Sequence, residues 1–166
     1  MGAVSKAVSC ILALIALYFA LLWGAEASRV LTSPVYGLDN PTFGRIVHGL
    51  GRLLHVGPDR ASWIATACAA AEFMVACLFI CHIVDRCGSL FGRKINHASL
   101  EAALILVAVA TLVAATPALL DGDTNLLRLH ALHLVLAGVA AMLSVLERIA
   151  EHDEGTPVVE HAEATL

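Results

Sequence analysis

Four stretches of about 20 mostly apolar residues constrain this chain more than any other feature, because each matches the length of helix needed to cross a bilayer's hydrocarbon core. They run over about residues 7–25, 61–84, 98–120 and 124–146. The first is free of charge up to Glu26. The second carries one charge, Glu72, near its middle, and the third has Glu101 near its start. The fourth holds Arg128, His130 and His133 in its first half. None alternates with the period of two that a membrane β-strand needs. A soluble four-helix bundle would need a polar face on every helix, and these stretches have none. Composition agrees: of 166 residues, 59% are hydrophobic and 14% charged, against about 25% charged in soluble domains. The net charge of −4 argues against a nucleic-acid partner. The expected fold is an all-α integral membrane protein, a four-helix bundle with one amphipathic interfacial helix between the first and second spans. It occupies residues 1–150, and an acidic, disordered tail follows over 151–166.

The first span has a rival reading. Lys6 precedes its apolar run, and Ala25-Glu26-Ala27 resembles a signal-peptidase site. The run exceeds the usual 7–15 residues of a signal peptide, which favours a retained anchor. An even number of spans puts both termini on one side. Lys6, Arg86, Arg93, Lys94 and Arg148 lie towards that side, and Arg29, Arg45, Arg52 and Arg60 towards the other. The balance leans towards cytoplasmic termini in a bacterial inner membrane.

The long first connection opens with turn formers and then becomes periodic. Over about residues 43–55, Phe43, Ile46, Val47, Leu50, Leu53 and Leu54 fall on one helical face, and Arg45, His48, Arg52 and His55 on the other. Such a helix suits the headgroup layer, with its basic face towards lipid or a partner. Gly44, Gly49 and Gly51 weaken its intrinsic helicity, so something must support it. Arg86, Arg93 and Lys94 in the second connection are expected to face anionic lipid. From Glu147 onward the acidic residues read as a solvated tail.

Charges inside spans are costly, so they usually face the bundle and carry function. At about 1.5 Å per residue, Glu72 lies roughly 16 Å from the first-connection surface, His133 roughly 14 Å, His130 roughly 9 Å and Arg128 roughly 6 Å. His130 and His133 share a face by their spacing of three. A polar intramembrane cluster of Glu72, His130 and His133, reached by Arg128, is therefore expected. A second group belongs at the opposite surface, where Cys81 and His82 end one span and His97 and Glu101 begin the next. These are metal-ligand types, but their spacing matches no specific signature. A haem held by two histidines would need His130 or His133 to pair with His48 or His55, because His82 and His133 differ in depth by roughly 16 Å.

The five cysteines form no redox or haem-attachment motif and read as small hydrophobes. Ala61, Ala65 and Ala69, and Ala137 with Ala141, form small-residue ridges suited to helix packing. Pro117 should bend or end the third span. No nucleophile elbow, phosphate loop or metalloprotease motif occurs. The first expectation is a non-catalytic accessory subunit of a larger inner-membrane complex, respiratory or photosynthetic, with the bilayer and other membrane subunits as partners and no cofactor. The second is a small transporter or proton-coupled carrier using Glu72 and His133. The third is a redox protein holding haem or a metal ion.

Overall fold

The computed structural model describes residues 3–33, 38–89 and 97–154. The acidic stretch beyond Glu154, together with Arg93 and Lys94, lies outside the described residues. Among the described residues the α-helices are α1 (Ala3–Thr32), α2 (Pro41–Leu53), α3 (Ala61–Ser89), α4 (Ala98–Asp121) and α5 (Thr124–Glu154). A single 3-10 turn, Pro58–Arg60, joins α2 to α3. All but α2 contain segments long and apolar enough to cross a membrane, at Ala7–Thr32, Ala61–Gly88, Ala98–Asp121 and Thr124–Ala150. Large apolar side chains cover the outside of the bundle. Leu14, Leu21, Leu119 and Met142 keep between 64% and 69% of their surface exposed, which a water-soluble monomer rarely tolerates over so wide an area. These features are those of a membrane protein.

α1 packs along α3 and α4 along α5, and contacts between α3 and α4 and between α5 and α1 close the ring. The first core lies inside that ring and includes Leu12, Phe19, Phe79, Leu100 and Val107. Phe19 and Phe79 stack with centroids 5.2 Å apart, a geometry worth about 1 kcal/mol beyond the area it buries. α1 runs unbroken through Ala25-Glu26-Ala27, extending seven residues past the expected end of its span. α5 likewise continues to Glu154.

The second core lies under α2. Phe43 and Val47 sit on Val30 of α1 and on the alanine ridge Ala61, Ala65 and Ala69 of α3. That ridge is therefore used within the chain. In the other ridge Ala137 is buried and Ala141 exposed. α2 begins where local chemistry says it should. Asn40 caps it, its Oδ1 accepting from the N–H groups of Thr42 at 2.9 Å and Phe43 at 3.3 Å, and Pro41 occupies the first turn. Leu54 and His55 fall just past its end, and His55 adopts a positive φ of 53°.

Pro117 does not end α4, which runs four residues further to Asp121. Gly122 stops it in the left-handed conformation at φ 70°, where its N–H reaches the carbonyl of Ala118. Pro117 is buried instead against α2, where the backbone at Gly49 lies on its ring.

Two expectations for the opposite end are corrected. Arg86 does not face lipid headgroups, and Glu147 does not belong to a solvated tail. Glu147 is 1% exposed, and Arg86 is 8% exposed. Arg86 forms a two-pronged ion pair with Glu147, one prong being an N–H donated from Nη1 to Oε1 at 2.8 Å. Ser9 of α1 donates its hydroxyl to the same carboxylate. Arg86 Nε also donates to His82 Nε2 at 3.0 Å. A buried carboxylate needs such partners. The helical extension of α5 keeps Glu147 against Ser9 of α1 and Arg86 of α3.

Candidate functional site

The strongest candidate is a cavity of about 620 Å³ between the helices on the α2 side of the bundle. Its size falls within the range of roughly 300–1,000 Å³ common for small-molecule sites. All five helices contribute. α2 supplies the roof through the apolar face that the sequence pattern defined, with Phe43, Ile46 and Leu50 turned inward. Tyr18, Leu22 and Trp23 of α1 form one wall, and Val109, Val113 and Ala114 of α4 form another. Tyr18, Val109 and Val113 are themselves 43%, 52% and 49% exposed, so the cavity opens sideways to the exterior.

Its polar groups are few. Glu72 of α3 and His130 and His133 of α5 all line it. These are the three residues that depth and helical spacing placed together. Arg128 does not join them: it is exposed and absent from the cavity wall. His133 is held edge-on to Trp23, with centroids 6.4 Å apart, and tilted against Phe19 at 6.2 Å. Glu72 Oε2, His130 Nε2 and Thr111 Oγ1 are buried atoms without a hydrogen-bond partner. Such orphans are rare in a settled interior and point to a missing ligand or water.

Sequence reasoning missed two members. Glu26 lines the cavity because α1 extends well beyond the apolar run, which turned a span-ending charge into an interior one. Asn40 Nδ2 donates to Glu26 Oε1 at 3.1 Å, tying α1 to the start of α2. Thr111 is 2% exposed and faces the cavity from α4. A single threonine in an apolar run carries no signal of its own.

The basic face of α2 is fixed by the chain itself. Arg45 pairs with Asp123 and Arg52 with Asp121, both at the α4–α5 turn. His48 and His55 are exposed and lie outside the cavity lining, so the structure does not pair them with His130 or His133. Asp123 also caps α5, accepting from the N–H groups of Leu126 and Asn125, each at 3.2 Å. The Leu126 N–H, together with Arg45, holds the Asp123 carboxyl below its ordinary range.

The residues expected to group at the opposite end do not share one set of partners. His82 is buried and bonded to Arg86, whereas Cys81 beside it is exposed. Glu101 pairs with Arg148, and His97 is half-buried just before α4. Among the described residues, no three His, Cys, Asp or Glu side chains converge as a metal would require. No protein-family model, curated protein or solved structure matches the chain.

Proposed function

We propose that this chain is a small intramembrane carrier that binds a lipophilic molecule within its bundle. The cavity carries this reading: an apolar chamber under a surface helix, opening sideways, with Glu72, His130 and His133 on its wall. Lateral opening suits a solute that arrives from the acyl chains, and titratable groups on the wall suit exchange of that solute against a proton. The membrane we assign is a bacterial inner membrane with both termini in the cytoplasm, on the distribution of Lys and Arg among the connections.

The accessory-subunit reading draws less support. The surfaces that suggested partners are largely engaged within the chain: the alanine ridge of α3 under α2, and the basic face of α2 on the α4–α5 turn. Organic extraction of protein purified in mild detergent, followed by mass spectrometry, separates the two readings. A carrier releases a small lipophilic molecule in near-stoichiometric amount. The variant Ala71→Phe, which puts a ring into the chamber, loses it while keeping its thermal transition. Protein that is empty in both forms and co-purifies with stoichiometric membrane partners would instead support the accessory role.

A further inference from the structure

We propose that the cavity selects a lipophilic organic cation, with the positive centre beside Glu26 and Glu72 and the apolar body under α2. The inference rests on the reading of the cavity as a ligand site and adds the charge of its occupant. The balance of charge decides it. Two carboxylates line the chamber, and no Lys or Arg among the described residues does. Of the nearby cations, Arg45 is committed to Asp123 and Arg52 to Asp121, and Arg29 lines a separate outer groove with Glu26 but not the chamber. Glu26 has the Asn40 amide, and Glu72 Oε2 is buried with nothing to bond.

Two carboxyl groups facing one low-dielectric space resist ionising together, and a single cation between them favours the ionised pair. An anionic ligand would oppose that ionisation, and a neutral one would do nothing to stabilise it. The walls suit a cation as well. Trp23 and Tyr18 line the chamber, and aromatic faces attract organic cations. His130 is 6% exposed and Thr111 2% exposed, and each brings an unpartnered polar atom to a chamber they both line. They would serve a ligand's N–H or hydroxyl group without adding charge.

Tetraphenylphosphonium and tetraphenylborate test this directly, being one shape with opposite charges. The full chain carrying Trp63→Phe, in detergent micelles, leaves Trp23 as the reporter of the chamber. The phosphonium should quench Trp23 saturably, and the borate should show only the linear background of micelle partition. Glu72→Gln should weaken phosphonium binding at least tenfold, Glu72→Asp should retain most of it, and Ala71→Phe should remove the saturable part. Borate binding as tightly as the phosphonium, or phosphonium binding unchanged in both Glu72→Gln and Glu26→Gln, would overturn the charge assignment while leaving a ligand cavity in place. Absence of saturable binding by either ion would overturn the cation proposal, and the extraction experiment would then judge the cavity independently.

Discussion

Gly49 lies so close to Pro117 that a Cβ at Gly49 would stand 2.3 Å from the proline Cβ and 2.9 Å from its Cγ. The surface helix thus meets the fourth helix through backbone and ring, with no room for a side chain between them. The intrinsic helicity that glycine costs α2 is offset by this approach, which seats Phe43 and Val47 in the second core.

Gly49→Ala should lift α2 from α4 and destabilise the fold by about 1–3 kcal/mol, the usual cost of overpacking. Gly138 is the control. It lies in α5 with nothing within 4 Å of its added Cβ, so Gly138→Ala should be neutral or stabilising by up to about 1 kcal/mol. Thermal unfolding in detergent compares the two. Equal melting temperatures would mean that α2 does not rest on Pro117.

The Arg86–Glu147 pair should behave as a buried one. Arg86→Met leaves the Glu147 carboxylate buried with the Ser9 hydroxyl still bonded to it, and a loss of about 3–5 kcal/mol is expected. The double variant Arg86→Met/Glu147→Met should recover most of it, since the desolvation cost disappears with both charges. The Arg148–Glu101 pair is about half exposed on each side, and Arg148→Ala should cost less than about 1 kcal/mol. A double-mutant cycle read by thermal unfolding checks the contrast.

Acid should loosen α2 before it unfolds the bundle. The Asp123 carboxyl is held below its ordinary value, so its contribution is present above about pH 4 and is lost as pH falls through the lower folded value. Hydrogen exchange across α2 should therefore rise in acid, with the interior of α4 still protected. Asp123→Asn keeps a good helix cap but removes the charge opposite Arg45, and its α2 exchange should respond less to acid in that range, the Arg52–Asp121 pair remaining. A wild-type acid response in the variant would assign the effect to another group.

Screening tests the same tether. Arg45 and Arg52 are 62% and 68% exposed in their side chains, so each pair contributes little and weakens with salt. Arg45→Ala/Arg52→Ala should raise α2 exchange several-fold at low salt and little at 1 M salt. A salt-independent effect would point to the stems packing on the helix rather than to charge.

Most of the architecture was legible because apolar run length and helical period are local properties of the sequence. The four spans and the face of α2 follow from them, and rise per residue, which fixes depth, accounts for Glu72, His130 and His133 lining one cavity. Helix ends were not legible in the same way. α1 and α5 continue past their apolar runs because neighbouring helices support them, and this brought Glu26 into the cavity and Glu147 into a buried pair. The roles of Gly49 and Pro117 were hidden for a related reason. Taken alone each weakens a helix, and only their contact turns them into a packing device.

The central claim is that Glu72 faces a chamber reached from the lipid side. Peptide mass mapping after reaction with a hydrophobic carbodiimide, compared with a water-soluble one, tests it most directly in vesicles. Glu72 should be modified by the hydrophobic reagent alone and be shielded by tetraphenylphosphonium, while Glu101, exposed at the opposite end, reacts with the soluble one. Modification of Glu72 by the soluble reagent at the rate of Glu101, or no modification of Glu72 by either, would contradict the claim.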